Sequence, residues 1–142
     1  MATKHNGQRF GLTMTAVCSL TVEPPSLIAC VNRDAGTRGL IGTTKRVSVN
    51  VLSLDQVDVA ELFASSNVRG SNRFDQKKWV DMASGVPGLI AALAVFDCEV
   101  IEETSIGQHS VFFFELKGVR LRSDKNPLVY FNRQFCSLQP IQ

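Results

Sequence analysis

The alternation of apolar and polar positions assigns most of this chain to β-structure. Val47, Val49 and Val51 alternate with Ser48 and Asn50, which predicts a strand over 46–52. Residues 26–32 predict another. Over 91–103, Ala94, Phe96, Cys98 and Val100 fall on one side and Asp97 and Glu99 on the other, the pattern of a half-exposed strand. His109 opens a long β run to 122, and 127–135 give a last strand. Pro24 and Pro25 cannot donate to a ladder, so they make the turn before residue 26; further turns fall at 105–107 and 123–126. Helical spacing takes over once, after residue 52. Ser53 and Gln56 have the capping-box spacing, and Asp55 and Asp58 sit in the first turn, where the helix dipole favours negative charge. Val57, Ala60 and Phe63 or Ala64 form an apolar stripe that ends near residue 65.

Two stretches carry a different signal. Over 10–19 the period is still two, with Thr13, Thr15 and Val17 on one face and Leu12, Met14, Ala16 and Cys18 on the other. A strand chosen for packing would carry Val, Ile or aromatics on its inner face. This one carries small residues, as a surface for a flat ligand would. The segment 33–46, RDAGTRGLIGTTKR, breaks the β pattern with three glycines and three threonines, and Arg33, Arg38, Lys45 and Arg46 face only Asp34. Such a loop is either an anion site built on backbone N–H groups and a helix start, or an ordinary surface loop with a short helical turn. Residues 66–88 read as irregular, anchored by Phe74 and by Trp79, a packing residue rather than a ligand contact. About six antiparallel strands, one helix after the third and no βαβ alternation close most easily as a small β-barrel or a folded sheet.

Composition bounds the function. The 142 residues are 44% hydrophobic and 20% charged, which fits one globular domain over 9–142 preceded by a loose polar N-terminus at 1–8. A net charge of +2 without a Lys/Arg-rich run gives no footprint for nucleic acid. Cys18, Cys30, Cys98 and Cys136 stand far apart, with no CxxC and no histidine beside them; they read as reduced core residues, and no metal site is expected. No apolar signal region and no run of about twenty uncharged apolar residues is seen, so neither export nor a membrane span is expected and a cytoplasmic location follows. Of two histidines, His5 lies in the N-terminus, so no Ser-His-Asp or Cys-His arrangement forms and His109 is the single candidate acid, base or ligand contact, or else a structural histidine at a strand start. Glu102 and Glu103 are adjacent and so point to opposite faces of a strand, which argues against two-acid hydrolysis. Residue chemistry alone reaches a β-rich domain with a candidate site for an anionic small molecule.

Six blocks in order, GLTMTAVCSLTVEPPSLIACVNRDAGT, VSVNVLSLDQVDVAELFA, RFDQKKW, LAVFDCEV, IGQHSVFF and PLVYFNRQF, resemble the short-chain flavin reductases, the NAD(P)H:flavin oxidoreductases that serve two-component flavin monooxygenases. The resemblance runs from about residue 9 to 135. It implies a small antiparallel split β-barrel with one or two helices, the family's first helix and strand being absent, and a homodimer. It implies that FMN or FAD lies along Thr13, Met14, Thr15, Ala16, Val17 and Ser19, with ribityl and phosphate at Asn32, Arg33, Ala35, Gly36 and Thr37. Gly36 stands where a serine is common, which leaves the phosphate to backbone N–H groups and Thr37. The family's Gly-Asp-His segment, associated with NADH or NADPH, matches Gly107, Gln108 and His109, and Tyr130 and Arg133 match a block near the flavin. The implied reaction is hydride transfer from nicotinamide C4 to flavin N5, with reduced flavin leaving for a separate oxygenase. A non-catalytic or degenerate flavin-binding protein of the same fold, and a non-flavin barrel used for protein contacts, are the alternatives.

Overall fold

Apolar residues on both faces of one antiparallel sheet organise the chain. In the computed structural model, which describes residues 1–65 and 70–139, the strands are β1 (Ala2–His5), β2 (Gln8–Gly11), β3 (Val17–Val22), β4 (Pro25–Asn32), β5 (Arg46–Val51), β6 (Trp79–Asp81), β7 (Pro87–Leu89), β8 (Ala94–Ile106), β9 (His109–Leu121), β10 (Val129–Phe131) and β11 (Gln134–Cys136). The helices are α1 (Gly36–Thr44) and α2 (Val57–Ala64). Seven strands form one sheet in the order β2-β1-β5-β8-β9-β4-β3, while β6–β7 and β10–β11 are separate two-stranded ribbons. The expected class, mainly β with antiparallel sheets, is observed, with two helices. Residues 66–69, part of the expected irregular segment, and 140–142 lie outside the described residues.

On one face Val47, Val49, Cys98, Val100, Phe112 and Phe114 pack beneath Ile41 of α1. Phe112 and Phe114 are fully buried and stack at 5.9 Å. On the other face Val95 packs with Val59 and Phe63 of α2 and with Phe74, Trp79 and Leu89. Phe63, Phe74 and Trp79 touch one another at centroid distances of 4.8 to 5.4 Å. Trp79 is therefore a packing residue, and it also lines the groove described below.

Several segments differ from the sequence reading. Residues 1–8 are not loose: β1 pairs with β2 and with β5, Ala2 and Thr3 are buried, and Thr3 Oγ1 donates to the Arg46 carbonyl at 2.7 Å. The strand expected over 10–19 is broken, because β2 ends at Gly11 and β3 begins only at Val17. The 33–46 segment is a nine-residue helix, since Ile41 buries against the sheet and Lys45, in the left-handed region at φ 56°, caps it by donating to the Ile41 carbonyl. The 94–98 part of β8 is covered on both faces: Asp97 is 2% exposed and accepts from the Ser84 N–H at 3.0 Å and from its hydroxyl, because the turn between β6 and β7 lies over it. The last strand is a hairpin, with Asn132 and Arg133 both at positive φ in its turn. No helix among the described residues is long and apolar enough to cross a membrane.

Strands β2 and β3 are consecutive in sequence yet lie at opposite edges of the sheet. Seven flat strands would hold those edges about 29 Å apart. The link from Gly11 to Val17 can reach at most about 20 Å. The sheet therefore curls until its edges face each other, and residues 12–16 bridge the seam. Gly11 is needed at the start of that bridge: a Cβ there would lie 2.8 Å from a Phe63 ring carbon and 3.1 Å from the Met1 carbonyl oxygen. Gly11→Ala is expected to destabilise the fold by about 1–3 kcal/mol through overpacking, read as a lower urea midpoint with an unchanged slope.

Candidate functional site

The bridge over the seam is fastened at both ends and free in the middle. Thr13 donates its N–H to the Phe63 carbonyl at 3.1 Å and its hydroxyl to the Ala60 carbonyl at 2.7 Å, satisfying oxygens near the C-terminal end of α2. At the other end the Cys30 N–H donates to the Ala16 carbonyl at 3.0 Å, and the Val17 N–H to the Thr15 carbonyl at 2.9 Å. Among the described residues, the N–H groups of Met14, Thr15 and Ala16 have no protein acceptor.

Beneath the bridge lies a groove of about 470 Å³. Its walls include Leu12 to Thr15 from the bridge, Val17 at the start of β3, Val49 to Val51 of β5 with Leu52 after it, Ala60 and Phe63 from α2, Trp79 from β6, and Tyr130 and Phe135 from the C-terminal hairpin. The size falls in the range of about 300–1,000 Å³ of small-molecule sites, and mostly apolar walls with a few polar groups are their usual chemistry. Asn50 is fixed at its rim: its Oδ1 accepts from the Leu89 N–H at 2.8 Å and its Nδ2 donates to Ser48 Oγ at 2.9 Å. The hairpin is tethered where the Leu128 N–H donates to the Leu52 carbonyl and the Leu54 N–H to the Asn126 carbonyl, both at 2.9 Å. Tyr130 packs on Phe135 at 5.1 Å and stays half exposed.

A second cluster forms where β4 runs into α1. Asn32 Oδ1 accepts the Asp34 N–H at 2.9 Å, and the Ala35 N–H donates to the Asn32 carbonyl at 3.0 Å. Ala35 is the N-cap and offers no side-chain acceptor, so the N–H groups of Gly36 and Thr37 have no protein partner among the described residues. A Cβ at Gly36 would meet nothing within 4 Å, so packing does not demand glycine there. The turn from β8 to β9 lies alongside: Asn32 pairs with His109, the Arg33 N–H donates to the Gln108 carbonyl at 2.8 Å, and Gly107 holds a φ of 55°. Gly107, Gln108 and His109 are all exposed.

The structure therefore brings Thr13, Met14, Thr15, Val17 and Tyr130 to one groove, and Asn32, Arg33, Ala35, Gly36, Thr37, Gly107, Gln108 and His109 to one cluster. The bridge joins them, because Ala16 sits beside Cys30, two residues before Asn32. Ser19 and Arg133 join neither. Ser19 is exposed on β3, opposite Leu27, and Arg133 is exposed in the hairpin turn. Sequence reasoning missed Asn50, Leu52 and Phe135, and read Ala60 and Phe63 as core only. The alternating run over 46–52 carries no signal that separates Asn50 from Ser48, the other polar residue between its valines. Among the described residues no group of His, Cys, Asp and Glu is arranged to hold a metal ion.

The site thus combines a curled antiparallel sheet, backbone donors without protein acceptors among the described residues over an apolar seam, and a helix start without a side-chain cap. A profile of the Flavin reductase like domain matches residues 1–139. The chain belongs to that family. It is 36% identical over 126 residues to the FMN reductase (NADH) RutF of Acinetobacter baylyi, covering 89% of this chain and 66% of that protein. It is 39% identical over 132 residues to the 4-hydroxyphenylacetate 3-monooxygenase reductase component of Pseudomonas aeruginosa, covering 92% of this chain and 78% of that protein. The crystal structure of BorF, the flavin reductase component of a bacterial two-component tryptophan halogenase, superposes with a TM-score of 0.91 at 30% identity, covering 99% of this chain and 89% of that one. The chain thus spans about two thirds of the length of the first of these relatives.

The tether of the C-terminal hairpin also has an electrostatic part. Lys125 bonds the Asp55 carboxylate, and Ser53 Oγ donates to it at 2.6 Å; the lysine first and the serine second hold the Asp55 pKa down to about 2. A carboxylate depressed in the folded state contributes stability above its unfolded pKa of about 3.9 and loses it as pH falls from there through its folded pKa. Asp55→Asn is therefore expected to lower stability at pH 7, with the difference from the parent shrinking as pH falls from about 4 through 2, checked by urea melts across that range.

Proposed function

We propose that this chain is an NAD(P)H-dependent flavin reductase that takes FMN or FAD into the seam groove and a reduced nicotinamide nucleotide beside it. One observation carries the reading: on Met14, Thr15 and Ala16, three N–H groups without a protein acceptor among the described residues belong to the bridge over an apolar groove, and the bridge is bonded through Ala16 to Cys30, two residues before Asn32. A flat ring with a polar edge uses such a row of donors. Thr13 keeps the bridge in place through its two bonds to α2, and Val17 and Tyr130 supply apolar wall for the ring. The N–H groups of Gly36 and Thr37 receive the phosphate, and Asn32 shapes the loop through its bond to Asp34.

The bound flavin and nicotinamide supply the redox chemistry, a hydride passing from the second to the first. The protein needs no acid for that step. His109, exposed beside Asn32, contacts and orients the nicotinamide nucleotide. Holding phosphate through backbone N–H groups suits a flavin that exchanges as a substrate does.

The curled seven-stranded sheet supports the finer fold, an FMN-binding split barrel. Strand β3 supports a homodimer, since it is an edge strand that exposes Leu20 at 48% and Val22 at 90%. The monooxygenase and halogenase systems of the relatives support a separate oxygenase as consumer of the reduced flavin. All four cysteines are free, which suits the reducing cytoplasm.

Mixing the protein with NADH or NADPH and free FMN or FAD is expected to bleach the nicotinamide absorbance band. No oxidation above the uncatalysed rate with any pairing would sink the proposal. In His109→Ala the nicotinamide KM is expected to rise about tenfold, the loss of one hydrogen bond to a charged ligand, while flavin affinity by fluorescence quenching stays unchanged.

A further inference from the structure

We infer that Arg38 is a positioning residue that locks the turn of residues 107–109 to the start of α1. Arg38 is the third residue of α1, and its guanidinium forks. Its Nε donates to Ser110 Oγ at 2.8 Å, and its Nη2 donates to Glu103 Oε1. Ser110 is completely buried and follows His109 directly; Glu103 belongs to the opposing strand, three residues before Ile106, which pairs with His109. One side chain therefore ties both arms of the β8–β9 hairpin to the first turn of the helix.

Glu103 is itself held against α1. A Cβ at Gly42 would lie 3.1 Å from Glu103 Oε2, so the glycine one turn after Arg38 leaves space for the carboxylate to lie along the helix. The pair is partly buried, with side-chain exposures of 30% for Arg38 and 19% for Glu103, and a planar guanidinium sharing two fixed acceptors defines an orientation that a point charge cannot. The other tie between the two segments is at Arg33, whose N–H donates to the Gln108 carbonyl and whose Nη1 reaches the Gly107 carbonyl at 3.5 Å. Without Arg38 the turn is left to those bonds and to the end of the β4–β9 ladder.

This inference rests on the proposed function for its consequence: the start of α1 holds the flavin phosphate and the 107–109 turn the nicotinamide nucleotide, so Arg38 sets the distance between the two ligands. Misplacement of about 1 Å between reacting groups can cost about a hundredfold in rate. Turnover, not affinity, is then the quantity Arg38 controls.

Three variants test it: Arg38→Met, Arg38→Lys, which keeps the charge without the fork, and Ser110→Ala, which removes only the Nε acceptor. Hydrogen exchange on the ligand-free protein comes first. The Arg33 amide is expected to exchange about tenfold faster or more in Arg38→Met, and faster in the other two, while amides of β5 and the first half of β8 keep their rates. Steady-state assays are expected to show kcat down about a hundredfold in Arg38→Met, with flavin Kd and nicotinamide KM within about threefold of the parent. Unchanged Arg33 exchange in all three variants overturns the inference, as does faster exchange throughout the sheet or a parallel loss of kcat and flavin affinity. A parent protein with no reductase activity would instead remove the proposed function, and the exchange rates would still decide whether Arg38 holds the turn.

Discussion

Because residues 12–16 must join strands at opposite edges of one seven-stranded sheet, the sheet has to curl until those edges meet. That requirement generates the groove. A link this short cannot also pair along its length as a strand, so its central N–H groups have no protein acceptor among the described residues, and the apolar inner surface of the curled sheet lies beneath them. On the proposed reading those donors are the recognition element. The link stays open because α2 grips it at Thr13 and β4 grips it at Ala16. The aromatic trio of Phe63, Phe74 and Trp79 fixes α2 in turn.

Much of the fold was legible where local pattern and tertiary role agree. Strand β5 reads directly from its valines. Helix α2 follows from Ser53 and Gln56, and the Gln56 side chain does accept the Ser53 N–H at 2.9 Å. The link at 12–16 was misread as a strand because its alternation of small residues satisfies a period of two, while the fact that separates it from β3, the distance to the far edge, is a property of the topology. Residues 1–8 look loose in isolation, and only pairing with β5 buries Ala2 and Thr3. Asp97 reads as solvent-facing because charge usually is; the turn that covers it arrives from residues 82–86, and Ser84 satisfies its oxygens.

The site was legible in outline and incomplete in detail for a similar reason. Small residues at Thr13 to Val17 and the glycine-rich start of α1 announce themselves by departing from packing preferences. Asn50, Ala60 and Phe63 do not, because each obeys its local rule, strand or helix, and becomes a wall of the groove only when the sheet curls. Arg38 was counted merely as one of four unbalanced cations. Its partner Glu103 lies 65 positions away, beyond the reach of any local pattern.

The Arg38 fork has a further physical consequence. The start of α1 has no side-chain cap, and the one cation in its first turn is already bonded to Glu103 and Ser110. An anion arriving there meets, among the described residues, two N–H groups without a protein acceptor and the positive end of a helix dipole, while the guanidinium of Arg38 is already committed. Charge-assisted bidentate bonds are roughly twice as strong as bonds between neutral groups, so diverting Arg38 lowers the hold on a phosphate while improving the geometry around it. On the proposed reading those two effects serve the same end. A reductase whose product must depart gains from a site that is rigid and weak, and a guanidinium given over to positioning supplies rigidity without the grip.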